Sequence, residues 1–119
     1  MNQNDAQHCN CEGWWEQSGY GRQPMENLRL SFASGQIRGS GSDIVGPFVL
    51  SGIIAADGAV AMRKQYIGRH SVEYLGEYSG EGVMSGEWRI DIFRGRWMIA
   101  IRGSDADSAT RIVEIEPGR

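Results

Sequence analysis

Apolar and polar residues alternate with a period of two along most of the chain, and helical periodicity is almost absent. The segment from Met25 to Ala33 shows the pattern clearly, because Leu28, Leu30 and Phe32 share one face and polar residues occupy the other. The pair Ser34-Gly35 that follows is typical of a tight hairpin turn. The pattern therefore predicts short strands joined by tight turns.

About eight strands are expected from this alternation. They cover residues 13–18, 25–33, 36–42, 46–55, 60–66, 69–78, 83–90 and 96–102, and residues 110–115 are a candidate short edge strand. Short consecutive connections favour antiparallel pairing of neighbours, and closure of the sheet would remove its exposed edges. We therefore predict an all-β fold, an up-and-down antiparallel β-barrel of about eight strands. A two-sheet β-sandwich is the alternative, because its strands have similar spacing.

A length of 119 residues is enough for one domain with one hydrophobic core. We expect a flexible polar N-terminal arm over residues 1–11 and a single barrel domain over residues 12–119. Several of the 17 glycines fall inside predicted strands, where they serve close strand coiling or, alternatively, space for a ligand. These are Gly39, Gly41, Gly76 and Gly86.

The charge pattern excludes some partners. The formal net charge is −3 and basic residues are scattered, so no basic stripe for nucleic acid is present. No apolar run is long enough to span a membrane, and we expect no membrane partner. The N-terminus lacks the basic and apolar segments of a signal peptide, which predicts a cytoplasmic location.

The two cysteines, Cys9 and Cys11, stand one residue apart, too close for a relaxed disulfide. With His8 they form an H-C-x-C sequence like the start of a metal site. A structural zinc site needs four ligands, and His70 is the only other histidine. We therefore expect two free thiols in a loose arm and no metal site.

The segment Gly13-Trp14-Trp15 resembles the G-x-W motif of lipocalins, and the chain resembles calycin-type barrels, the group of lipocalins, fatty-acid-binding proteins and avidins. In lipocalins the motif tryptophan closes the barrel floor under an arginine of the last strand. The resemblance implies that Trp15 forms the floor and that Arg102 packs over it. The usual helix after the barrel is not readable here.

A longer string resembles uncharacterised avidin- or lipocalin-like barrel domains, and it supports the fold without indicating a ligand. It comprises Gly39-x-Gly41-x-Asp43-x-x-Gly46-x-Phe48, Lys64-x-Tyr66, His70, Tyr74-x-Gly76 and Gly86-x-Trp88. The G-x-W segment followed by Gly19-x-Gly21 also resembles nitrobindin-like barrels, in which a late histidine binds haem iron. No histidine follows His70, so we predict no haem and no other cofactor.

Several polar residues share the inward faces of the predicted strands. A buried lysine or aspartate needs a partner, so we predict an ion pair between Asp43 and Lys64. Aromatic walls with a few convergent polar groups are typical of small-molecule sites. The candidate ligand-binding residues are Asp43, Lys64, Tyr66, His70, Tyr74, Trp88 and Trp97, with Phe48 as a further wall.

Two functions follow from these side chains. The first is a barrel that binds a small polar or anionic ligand in its interior. The alternative is a structural or interaction module, in which the polar groups satisfy one another, the barrel is filled, and function depends on homo-oligomerisation. Its outward apolar candidates are Val49, Ile53, Leu75 and Val83.

An enzyme is the less favoured interpretation of the sequence, because neither a Cys-His nor a Ser-His-Asp arrangement emerges and no catalytic residues are assigned. Schiff-base chemistry at a buried Lys64 is the one catalytic option that the sequence offers.

Overall fold

The computed structural model describes residues 6–104, which form a closed barrel of antiparallel strands. Each strand pairs with its neighbours in the chain, and the first pairs with the last. The predicted up-and-down barrel is therefore confirmed, and the sandwich alternative is wrong. The strands are β1 (Gln7–Gln17), β2 (Gly21–Ala33), β3 (Gln36–Ser42), β4 (Pro47–Ile54), β5 (Ala59–Tyr66), β6 (Ser71–Tyr78), β7 (Val83–Ile90) and β8 (Phe93–Ser104).

The N-terminal segment differs from its prediction. Residues 7–11 are not an arm, because they pair with β2 and, from Cys9 onward, with β8. Cys9 is buried although its neighbours are polar, and Asn10, the one residue between the two cysteines, is exposed. The sequence did not predict this part of the strand, because the single alternation Cys9-Asn10-Cys11 is too short to give a clear hydrophobic pattern. The candidate edge strand at residues 110–115 lies outside the described residues.

The strands meet at two ends that differ in content. The turns after β1, β3, β5 and β7 lie together at what we call the open end, and those after β2, β4 and β6 lie at the packed end. Aliphatic and sulfur side chains fill the barrel toward the packed end. The members of this core that are at most 4% exposed include Leu28, Leu30, Ile37, Leu50, Val60, Met62, Met84 and Ile99.

One inward tryptophan, Trp97, is accommodated by glycines on the neighbouring strands β7 and β6. Trp97 on β8 is paired with Gly86 on β7, and Gly86 is in turn paired with Gly76 on β6. A Cβ atom at Gly86 would meet the carbonyl group of Leu75, and one at Gly76 would meet that of Ser85. Backbone of the neighbouring strand therefore fills the space beside each glycine, which confirms close strand coiling rather than space for a ligand at these two positions.

One prediction concerns this packing. Gly86→Ala should lower the free energy of unfolding by about 2–3 kcal/mol, because its methyl group would be forced against the backbone of β6. Gly103→Ala is the matched control, since no heavy atom lies within 4 Å of a Cβ at that strand position. Urea unfolding of both variants measures the difference, and equal stabilities would contradict the packing described.

Candidate functional site

The polar centre of the barrel is the carboxylate of Asp43, the residue that directly follows strand β3. Its backbone exchanges hydrogen bonds with Gly46, and its Oδ1 accepts the Val45 amide at 2.9 Å. This turn holds the other oxygen, Oδ2, toward the barrel axis. Oδ2 accepts from Trp15 Nε1 at 3.1 Å, Lys64 Nζ at 2.6 Å and Tyr66 Oη at 2.8 Å. The carboxylate therefore accepts four hydrogen bonds, three of them on Oδ2.

The predicted ion pair between Asp43 and Lys64 is confirmed, and both side chains are at most 1% exposed. The Lys64 ammonium also donates to Tyr74 Oη at 3.1 Å. Its Nζ lies 4.4 Å from the centroid of the Phe48 ring, within the range of a cation–π contact. The lysine is therefore held by one charge, one hydroxyl and an aromatic face.

Burial also changes the proton affinities of this network. Desolvation lowers the pKa of Lys64 to about 8, against the opposing effect of the Asp43 carboxylate. Burial, with Asp43 nearby, raises the pKa of Tyr66 and of Tyr74 well above the usual value for tyrosine. Both tyrosines are accordingly protonated at neutral pH and act as neutral hydroxyl groups.

Above this network the barrel is hollow. A cavity of about 500 Å³ lies at the open end, where exposed residues such as His70 and Phe93 form its mouth. Tyr66 and Tyr74 belong both to its lining and to the Asp43 network, so these two tyrosines form its floor above Asp43 and Lys64. The lining residues are Trp15, Gln17, Val45, Tyr66, His70, Val72, Tyr74, Trp88, Ile90, Asp91 and Phe93.

Five of the seven predicted site residues lie below the cavity, in its floor or in its wall. Asp43 and Lys64 lie beneath the floor and do not line the cavity. Tyr66 and Tyr74 form the floor, and Trp88 is a buried wall whose indole donates to the Glu16 carbonyl at 3.0 Å.

The other two predicted residues lie at opposite extremes. Trp97 is buried on the packed side, 5.1 Å from the Tyr74 ring, and is not part of the lining. His70 belongs to the turn before β6, not to the strand, and is exposed at the mouth with its ring 5.1 Å from that of Tyr66. The alternation that placed it inward is broken by the turn at residues 67–70.

Trp15 has a role that its motif only partly suggests. It lines the cavity, bonds to Asp43, and packs edge-on against Trp88 with 5.9 Å between ring centroids. The predicted contact with Arg102 is wrong, because that arginine is exposed and bonded to Glu12. Trp15 pairs with Trp97, and Arg102 stands five residues further along β8.

The remaining lining residues were not among the predicted site residues. Val45, Asp91 and Phe93 come from the loops at the open end or their margins, and their separation in sequence hides their proximity. Val72 and Ile90 follow the inward alternation, so their strand pattern did indicate them as interior, although not as cavity wall.

The two cysteines of β1 are free thiols. Burial and the neighbouring Cys9 raise the pKa of Cys11 to about 12, so its thiol is protonated at neutral pH. Within residues 6–104, no group of three or more histidine, cysteine or acidic side chains is arranged to hold a metal ion. The same part of the chain has no helix suited to crossing a membrane.

Comparisons of this chain with family models, with curated proteins and with solved structures give no match. The class that the fold defines is an eight-stranded, closed, antiparallel up-and-down barrel with a cavity at one end. Its functional assignment therefore depends on the geometry of the cavity and of its floor.

The ion pair leads to a prediction about stability. Asp43→Asn should lower the free energy of unfolding by about 3–5 kcal/mol, because it leaves the buried Lys64 without a counter-charge. Lys64→Met should cost less, since Asp43 keeps the donors Trp15, Tyr66 and Val45. The double variant should be more stable than Asp43→Asn. Urea unfolding measures all three, and a larger loss for Lys64→Met would contradict this account.

A second prediction concerns pH. Between pH 8 and 10.5 the folded protein has released the Lys64 proton while the unfolded chain still binds one. The free energy of unfolding of the wild type, measured relative to Lys64→Met, should therefore rise across this window by up to about 1.4 kcal/mol per pH unit. Urea unfolding in reducing buffer tests it. Parallel pH profiles for the two proteins would show that the Lys64 pKa is not lowered.

Proposed function

We propose that this protein binds a small organic molecule in the cavity at the open end of the barrel. The observation that carries the proposal is that the polar network stops halfway along the barrel instead of filling it. Below the network aliphatic side chains pack densely, and above it a volume of about 500 Å³ is open. This volume is within the range of small-ligand sites.

The floor favours an uncharged polar ligand. The charges of Asp43 and Lys64 neutralise each other at 2.6 Å, so the floor presents no net charge to an anion. The Tyr74 hydroxyl accepts from Lys64 and donates to no other described residue. In this proposal a ligand acceptor such as a carbonyl oxygen takes that proton, for which the described residues supply no acceptor.

The walls of the cavity favour a ligand whose main part is a compact aromatic or aliphatic group. The Trp15 and Trp88 indoles line the cavity with Val72 and Ile90. Both indole N–H groups are already used, by Asp43 and by the Glu16 carbonyl, so these rings offer apolar contact. A flat, mostly apolar molecule with one hydrogen-bond acceptor matches this lining.

The barrel is calycin-like in this proposal. The strand order and the position of Gly13-Trp14-Trp15 in the first strand support it, while the exposed Arg102 departs from the lipocalin pattern. A cytoplasmic location is part of the same proposal. Its support is the pair of free thiols, which suit a reducing compartment.

Homo-oligomerisation is the second candidate function. Ile53, Ala61 and Leu75 lie side by side on the outer faces of β4, β5 and β6, where Ile53 and Leu75 are exposed. Val49 is exposed on the same wall, whereas Val83 is half-buried. A monomer seen by light scattering at high concentration would exclude this function.

Ligand binding is tested with a naphthyl methyl ketone and its isostere isopropenylnaphthalene, followed by heteronuclear NMR. We expect the ketone to shift the indole resonances of Trp15 and Trp88 and to bind about three- to tenfold more tightly, because only it accepts from Tyr74. Tyr74→Phe should remove that difference. Binding of neither compound, or equal binding to the wild type, would contradict the proposed recognition.

A pair of isoleucine variants separates the cavity from the outer surface. Ile90→Trp places a larger side chain at the cavity wall and should abolish binding, whereas Ile53→Trp makes the same change on the exposed face of β4 and should not. Thermal unfolding of both variants verifies that they fold. Equal affinities of the two variants would mean that the ligand binds elsewhere.

A further inference from the structure

Large apolar side chains are concentrated at one end of the barrel surface. All four loops at the open end carry at least one that is more than half exposed. They surround the cavity mouth, and we call them the apolar rim: Tyr20, Ile44, Ile67, Ile92 and Phe93. Ile92 is 87% exposed, so packing inside the barrel does not account for an apolar residue at this position.

Arginines follow the apolar tips at a constant spacing. Arg22, Arg69 and Arg94 each stand two residues after Tyr20, Ile67 and Ile92, and all three are exposed. Arg22 is paired with Glu16 at 3.3 Å and lies over the Trp14 ring, and Arg94 reaches Glu87 at 4.0 Å. Arg69 forms no ion pair with any residue from 6 to 104 and is the least engaged of the three. Asp91 is the exposed acidic residue within the open-end loops, because the Asp43 carboxylate is buried and neutralised.

The packed end has the opposite character. Its three turns contain Asp57 and Glu81 and no basic residue. None of these described turns carries a large exposed apolar side chain. The axis of the barrel is therefore polarised, with an apolar tip and arginines at one end and acidic polar turns at the other.

We propose that the apolar rim docks the open end onto an anionic lipid bilayer. The tips would enter the boundary between headgroups and acyl chains, where isolated apolar side chains without polar partners are stabilised. The arginines two residues behind them would lie at the level of the lipid phosphates, which are complementary to them in charge. The absence of a spanning segment, from which the sequence predicted no membrane partner, does not bear on such a peripheral contact.

This placement narrows the ligand class, in a step that rests on the proposed function. A docked barrel would open its cavity toward lipid, so the ligand would be a molecule that dissolves in the bilayer. Docking itself requires no ligand, because the apolar rim and the arginines lie outside the cavity floor.

Vesicle co-sedimentation of the whole chain tests the docking. We expect the wild type to sediment with phosphatidylcholine vesicles that contain about 30% phosphatidylglycerol, and about 0.5 M salt should weaken that binding. Ile67→Ser should reduce the partition coefficient about tenfold. Ile53→Ser is the matched control, because both isoleucines are 56% exposed but Ile53 lies on the barrel wall. It should stay within about twofold of the wild type.

The arginine contribution has its own matched pair. Arg69→Gln should lower the partition coefficient about fivefold, whereas Arg63→Gln, an exposed arginine on the wall strand β5, should not. Absence of sedimentation, or equal effects of the Ile67 and Ile53 changes, would overturn the proposal. So would a dimer in gel filtration that Ile67→Ser dissociates, since a second copy would then cover the apolar rim. Retained binding of the naphthyl ketone in that case would leave the proposed function standing.

Discussion

The carboxylate of Asp43 is the interaction on which the rest of the barrel interior depends. It receives a lysine, a tyrosine, an indole and a backbone amide from β5, β1 and its own turn. Because the three side-chain donors are large, their hydrogen bonds to one carboxylate bring the Trp15 and Tyr66 rings and the Lys64 side chain together inside the barrel. A fully apolar interior of the same size would have no such directional constraint, and side chains could fill it to the mouth.

The network consequently divides the barrel into two compartments. Phe48 lies beside it, and toward the packed end Trp97 and the aliphatic core are buried against it. Toward the open end the same tyrosines present their other side to a cavity. A structural network and the proposed ligand site are thus compatible, because Tyr66 and Tyr74 belong both to the Asp43 network and to the cavity lining.

The two ends of the barrel also differ in what they present to solvent. The open end combines a cavity, apolar tips and arginines, whereas the packed end has short polar and acidic turns. Tight turns such as Ser34-Gly35 use their residues for backbone geometry, with Ser34 at φ 53°. The five side chains of the apolar rim are more than half exposed, so packing within the barrel does not account for them.

Alternation along the chain was sufficient to predict the closed barrel, the inward faces of β2 to β8 and the pairing of Asp43 with Lys64, since a period of two assigns each side chain to the interior or the surface. It did not reveal that residues 7–11 are part of β1, that His70 stands at the mouth, or that Trp97 lies below the floor. Closure staggers the strands, so the height of a residue along the barrel axis depends on the register of every pair and on bulges such as that at Asn27. The sequence pattern therefore determines whether a side chain points into the barrel or out of it. The tertiary structure decides at which height along the barrel axis that side chain meets its neighbours, and hence where the cavity and the apolar rim lie.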